Sequence, residues 1–229
     1  MAEAVRLAPE LTGPTWIFAR EQTAGRARRG RTWVQPSGNF SATLVWRPND
    51  GIQTRALRSF VAALALREAF VAATGNEAGL ALKWPNDVLL NGGKVAGILL
   101  ESVGDGLAIG FGVNLLAAPP LHVVQKGAVP PVSLLSETGQ TIEPLDFLSL
   151  LAAAFARLET QFTTYGFEPI RAAWLQHAAR LGEVIIARTA TDETVGTFQT
   201  VDEQGMLVLK AADGTHRIAA ADVFFEQGR

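Results

Sequence analysis

The chain has 229 residues, 48% of them hydrophobic and 18% charged, with a formal net charge of −2. That is enough apolar material for a buried core in one large domain, or in one domain plus a small one, and it excludes an intrinsically disordered chain. The absence of cysteine excludes a disulfide framework, a thiolate nucleophile and a thiolate-held metal; the histidines at 122, 177 and 216 are too scattered for a His-based metal centre, and the charge balance argues against a general nucleic-acid binder.

No apolar run reaches the length of a membrane span, and the first residues lack a basic stretch followed by an apolar one, so neither a membrane segment nor a signal peptide is expected and the expected location is the cytoplasm. Residues 14–20 read as a short strand. Residues 21–39 are polar, rich in Gly and Arg and without a hydrophobic period, which predicts a long loop of the kind that carries function. Residues 41–47 form a strand closed by Pro48 and Asn49-Asp50-Gly51. Leu57, Phe60, Val61, Leu64, Ala65 and Phe70 predict one helix over 53–74, buried on much of its circumference and ending at Gly75-Asn76. A strand at 79–84 breaks at Pro85-Asn86-Asp87. Val88 to Leu90 then pairs with Lys94 to Leu99 across the turn Asn91-Gly92-Gly93.

Residues 107–113 form an apolar strand interrupted by two glycines, and 117–141 read as loop, with two Pro-Pro pairs. Phe147, Leu148, Leu151, Phe155, Leu158 and Phe162 predict an amphipathic helix over 144–163, followed by another over about 168–180. From Leu181 short strands at 183–188, 194–200, 206–210 and 215–218 alternate with turns, the pattern of a small β-barrel. The chain therefore divides near residue 180 into 1–180 and 181–229. The first part carries 16 basic and 14 acidic residues and the second 4 and 8, so positive charge collects in the larger part. Trp16, Trp46 and Trp174 are expected as packing residues, and the three histidines as surface or structural ones.

Two segments carry chemistry. Gly25-Arg26-Ala27-Arg28-Arg29-Gly30-Arg31 holds four arginines in six positions, which repel one another unless anionic oxygens hold them. Guanidinium forks suit phosphate and carboxylate, and flanking glycines allow close approach of the backbone, so the loop reads as a flap over an anionic ligand, with a solvated basic turn as the plain alternative. Lys83-Trp84-Pro85-Asn86-Asp87 ends an apolar strand with Lys83 and Asp87 at its mouth. Asp87 either anchors a cation or simply pairs with Lys83. Lys94 enters an apolar run and either snorkels to solvent or points into a pocket. Gly97, Gly110 and Gly112, inside strands, mark bulges or places where a flat ligand lies on the sheet.

Gln22 to Trp33, Lys83 to Asp87, Lys94 to Glu101 and Ile109 to Asn114, in that order, resemble the biotin–protein ligases, and the likeness runs from about residue 2 to the end. The resemblance implies an α+β fold: a mixed-sheet catalytic domain of the biotin/lipoate ligase type with flanking helices, followed by a small SH3-like β-barrel. It implies an enzyme that uses ATP and Mg²⁺ to convert biotin to biotinyl-5′-AMP, then transfers it to a lysine of a carboxylase's biotin carboxyl carrier domain. Partners would be that carrier, biotin and ATP, without nucleic acid or membrane, and with a homodimer as one assembly open to it. By resemblance Lys94, Arg28 and Asp87 are catalytic. Gln22, Gly25, Arg26, Ala27, Arg28, Lys94, Gly97, Leu99, Gly110 and Gly112 bind biotin. Arg28, Arg29, Arg31, Trp33, Lys94 and Asn114 bind ATP, and the metal ligands are left open.

Two departures from the family pattern stand out. Ala27 replaces a glycine, which is tolerable if φ is negative there. A Ser-Thr-Asn element that contacts the biotin ureido ring is missing, and Met1 stands where its Asn is expected, so a start upstream of Met1 is expected. The arginine loop is expected to lack counter-charges until a ligand arrives. The remaining alternatives are a lipoate–protein ligase-like enzyme and a degenerate biotin- or carrier-binding protein without turnover.

Overall fold

The computed structural model describes residues 1–125 and 127–225. Its larger sheet takes β1 (Thr15–Phe18), β2 (Phe40–Trp46), β3 (Leu80–Lys83), β4 (Asp87–Leu90), β5 (Gly93–Val103) and β6 (Gly106–Val113) in the order β1-β2-β6-β5-β4-β3. All of these strand pairs are antiparallel, so the sheet is mixed only through two isolated parallel bridges, Leu82 with Ala178 and Lys94 with Pro131. Short connections explain this: β3, β4, β5 and β6 follow one another through turns too short for a parallel crossover. The β4–β5 turn is Asn91-Gly92, with φ of 49° and 82°, the left-handed pair that a two-residue hairpin needs.

The helices are α1 (Ala2–Leu7), α2 (Ile52–Ala56), α3 (Arg58–Thr74), α4 (Leu134–Thr138), α5 (Pro144–Tyr165) and α6 (Phe167–Gln176). The helix expected over 53–74 is two, α2 and α3, which meet at Leu57. The apolar period of α3 is all-round because the helix is covered on several sides: Phe60 to Leu66, Ala69 and Phe70 are all buried. α3, α5 and α6 cover one face of the sheet, where Ala42, Leu44, Ala96, Ile98, Ile109 and Phe111 point into the core. Trp174 is fully buried there, and Trp16 and Trp46 pack edge-on to Phe155. α4 falls inside the stretch expected to be loop. A reciprocal Ser133–Ser136 capping box starts it, and Gly139 in the left-handed region ends it.

From Val184 a second antiparallel sheet runs β7 (Val184–Arg188), β8 (Glu193–Val201), β9 (Leu207–Ala211), β10 (Gly214–Ile218) and β11 (Asp222–Phe225), in the order β10-β9-β8-β7-β11. The bulge between Phe198 and Thr200 bends β8, but no pairing joins β10 to β11 among the described residues. β11 is a strand beyond those expected, and residues 226–229 of the expected 181–229 unit lie outside the described residues. This sheet is seated on the larger part: Trp84 Nε1 donates to the Gly205 carbonyl at 3.1 Å. Gly205 has φ +78°, and a Cβ there would come within 2.9 Å of Leu57. Among the described residues no helix is long and apolar enough to cross a membrane.

Candidate active site

The face of the large sheet away from α3, α5 and α6 is floored by small residues. Registry aligns Ser41 of β2, Gly112 of β6, Gly97 of β5, Asp87 of β4 and Lys83 of β3 in one cross-strand row. The adjacent row is Thr43, Gly110 and Leu99. Because side chains alternate across a sheet, both rows face away from the core. They line a cavity of about 1040 Å³.

Lys94 would face the wrong way in a regular strand, being three residues from Gly97. A bulge corrects this. Val88 pairs with Ala96 and Leu89 with Lys94, so Val95 is an extra residue in β5. Val95 and Ala96 both enter the core, and Lys94 returns to the cavity face, the re-aiming that bulges perform beside active sites. Lys94 lies across Gly97, where a Cβ would be 3.4 Å from its Nζ.

At this end of the floor Lys94 Nζ lies 2.6 Å from Asp87 Oδ1, and Lys83 Nζ lies 3.5 Å from Asp87 Oδ2. Burial alone would raise the Asp87 carboxyl, but Lys94 and Lys83 together outweigh it and hold the carboxyl below its ordinary range. Asp87 is therefore an anion at neutral pH. Two lysines, from β3 and β5, converge on its two oxygens. Among the described residues no three His, Asp or Glu side chains converge, and Asp87 is already engaged, so the residues present do not form a cage for magnesium.

The arginine loop folds over this floor as a small hairpin. Trp33 N–H donates to Gly25 O at 3.0 Å and Ala27 N–H to Arg31 O at 2.7 Å. A Cβ at Gly25 would lie 2.2 Å from the Trp33 carbonyl, so the hairpin needs glycine there. Ala27 has φ −121°, which accommodates its methyl without strain. The Trp33 indole lies on Gly112 and Gly97 and 5.7 Å from Lys94 Nζ.

Three of the four arginines already have counter-charges. Arg26 pairs with Glu101 at 2.8 Å, and Arg29 and Arg31 each lie 3.0 Å from Asp222. Arg31 also donates to Gln125 Oε1 at 2.6 Å, and Arg28 to the Ala221 carbonyl at 3.3 Å. These acceptors lie 75 to 193 residues away in the chain, which is why the loop looked unpartnered from its own neighbourhood. Burial lowers the Arg28 guanidinium from its ordinary value, with Asp222 and Asp87 opposing the shift.

The structure brings Gln22, Arg26, Ala27, Arg28, Arg31, Trp33, Asp87, Lys94, Gly97, Leu99, Gly110, Gly112 and Asn114 to the cavity wall. Gly25 does not line the cavity but shapes the hairpin, and Arg29 turns outward to Asp222 and the Arg188 carbonyl. Asn114 is 1% exposed. Its Nδ2 donates to Val132 O, while its Oδ1 has no partner among the described residues. Met1 closes the far end, with its ammonium 3.2 Å from Thr43 Oγ1 and its sulfur against Gly110. His122 joins the wall, His177 accepts from Leu82 N–H through its carbonyl, and His216 pairs with Asp213. Sequence reasoning missed Asp222, Glu101 and Gln125. Lys83 was noticed only as a partner of Asp87.

The profile of the Biotin/lipoate A/B protein ligase family matches residues 4–115, and that of the Biotin protein ligase C terminal domain matches residues 181–226. A biotin–[acetyl-CoA-carboxylase] ligase of Paracoccus denitrificans is 58% identical over 98% of this chain and 95% of its own length. The bifunctional ligase/repressor BirA of Bacillus spizizenii is 30% identical over 91% of this chain and 65% of its own length. A biotin protein ligase of Aquifex aeolicus, solved in complex with biotin and ATP, shares the fold with a TM-score of 0.82 at 23% identity, covering 95% of this chain and 91% of that one. With most of its length matched at this identity, and with the cavity, bulge and arginine hairpin built from the segments that carry the likeness, the chain belongs to the biotin–protein ligases.

Proposed function

We propose that the chain activates biotin with ATP as biotinyl-5′-adenylate and transfers the biotinyl group to a lysine of a biotin carboxyl carrier domain, working in the cytoplasm. The observation that carries this reading is the junction of a flat glycine floor with the Lys94–Asp87–Lys83 cluster beneath the arginine hairpin. A neutral fused ring suits the floor, and two mutually repulsive acids suit the cationic end.

In the first half-reaction a biotin carboxylate oxygen attacks the α-phosphorus of ATP. The bond from that phosphorus to the bridging oxygen breaks, and pyrophosphate leaves with the electron pair. Lys94 and Arg28 neutralise the approaching oxygens and the charge that grows on the leaving group. Gly97, Gly110 and Gly112 give room to the rings, with Leu99 as an apolar wall. Gln22 and the backbone from Gly25 to Arg28 meet the polar groups of biotin. Trp33 covers the chain between ring and carboxylate. Arg31 and Asn114 Oδ1 face the nucleotide. In the second half-reaction the neutral ε-amine of the carrier lysine attacks the acyl carbon. The acyl carbon–oxygen bond breaks, AMP leaves with the electron pair, and the nitrogen gives one of its two protons to water. Residues 1–180 supply the floor, the cations and the acceptors Glu101 and Gln125, and residues 181–229 form a second unit that supplies Asp222 and the Ala221 and Arg188 carbonyls to the hairpin.

Incubation with ATP, magnesium, biotin and an acetyl-CoA carboxylase carrier domain tests the reading. Intact-mass analysis is expected to show one biotinyl group on the carrier, and lipoate in place of biotin is expected to give none. An unmodified carrier, or preference for lipoate, would overturn it.

A further inference from the structure

Lys83 is a buried lysine at the cavity to which the proposed reaction gives no task. It is 7% exposed and closes the cross-strand row that begins at Ser41. Its Nζ lies on the opposite oxygen of Asp87 from Lys94, and 5.8 Å from the centre of the Phe225 ring on β11. A carboxylate with one partner turns to follow it. A carboxylate held from both sides keeps its orientation.

We propose that Lys83 is a positioning residue for the ligation reaction. It grips Asp87 Oδ2, fixes Oδ1 toward Lys94, and keeps the buried carboxylate paired when Lys94 turns to the substrate's anionic oxygens. Without Lys83, drawing Lys94 away would leave Asp87 buried and unpaired, which is costly, so Lys94 would stay on Asp87. Burial lowers the Lys83 ammonium from its ordinary value, while Asp87 and Asp222 pull it upward. The charged groups facing Asp87 are Lys83 on β3, Lys94 on β5 and Arg28 on the hairpin.

The kinetic part of this inference rests on the ligase reading; the titration part does not. In the unliganded protein, the Asp87 carboxyl carbon is followed by NMR against pH in wild type, Lys83→Met and Lys83→Arg. The midpoint is expected to rise by about half a pH unit or more in Lys83→Met and to return in Lys83→Arg. The chain has four lysines, so in wild type the Lys83 Nζ signal is also expected to move as Asp87 titrates, a reading that needs no variant. In biotin-dependent pyrophosphate exchange, Lys83→Met is expected to lower kcat about tenfold or more with the biotin KM within about twofold, and Lys83→Arg to recover most of it. A folded Lys83→Met protein with unchanged kcat, or an Asp87 midpoint and Lys83 signal that ignore each other, would overturn the assignment. Absence of exchange in wild type would defeat the ligase reading instead, and the titration would still decide whether Lys83 sets the state of Asp87.

Discussion

Arg31, near the tip of the arginine hairpin, holds Nη2 3.0 Å from Oδ1 of Asp222, 191 residues further along the chain. The same carboxylate takes Arg29 on its other oxygen, so one acidic residue of β11 fastens the hairpin to the small sheet. Both arginines are more than a third exposed, so each pair is worth well under about 1 kcal/mol of global stability. The functional cost is larger, because ordering the hairpin must then be met from binding energy. Asp222→Ala is expected to raise the KM for ATP about tenfold while moving the thermal midpoint by only a few degrees. Steady-state exchange kinetics with a thermal melt check both halves.

The glycine floor makes a steric prediction. A Cβ at Gly112 would lie 2.4 Å from the Trp33 indole, too close for the present arrangement. Gly112→Ala is expected to push the hairpin off the sheet and raise the biotin KM at least about tenfold, the scale on which misplaced positioning groups act. Adding Trp33→Ala is expected to relieve the clash without restoring full affinity. Kinetics of the single and double variants measure the coupling.

Much of this site was legible in the sequence. Glycines inside the strands at 97, 110 and 112 marked the floor, and the Asn91-Gly92 turn fixed the hairpin that brings Asp87 beside Lys94. The bulge was not legible, because Val95 to Leu100 reads as an unbroken apolar run and nothing local says which residue is extra. The five residues of α4 lie in a proline-rich stretch too short for a helical period, and only the Ser133–Ser136 spacing could have signalled it. Acceptors such as Asp222 and Glu101 are brought to the arginines by tertiary folding, so local composition holds no trace of them.

Half-buried Arg28 lines the cavity and donates to the Ala221 carbonyl, and in the proposed function it clamps the activated anhydride. Arg28→Gly is expected to release the adenylate early. Lysines of bystander proteins would then acquire biotin, with streptavidin blots several-fold stronger than for the parent enzyme. Unchanged bystander labelling would count against the clamp.

Asp87 links the site to stability. Its carboxyl titrates below the ordinary carboxylate range of about 3.9, so the folded state binds fewer protons than the unfolded one as pH falls. Its stabilising contribution is present above the unfolded value and is lost as pH drops through the folded one. Asp87→Asn, which leaves Lys83 and Lys94 facing a neutral amide, is expected to cost about 3 kcal/mol at pH 7. That difference is expected to shrink toward zero in strongly acidic solution. Urea unfolding at a series of pH values gives the difference directly.

In the proposed reaction the Lys94 ammonium, turned to the cavity by the bulge at Val95, brings the two acids together. The direct test supplies wild type and Lys94→Ala with biotin and α-labelled ATP and measures the adenylate formed in the first turnover. Wild type is expected to accumulate biotinyl-adenylate, and Lys94→Ala to form it at least about a hundredfold more slowly. The variant is expected to stay folded, because Asp87 keeps Lys83 as a partner. Equal rates from the two folded proteins would contradict the account.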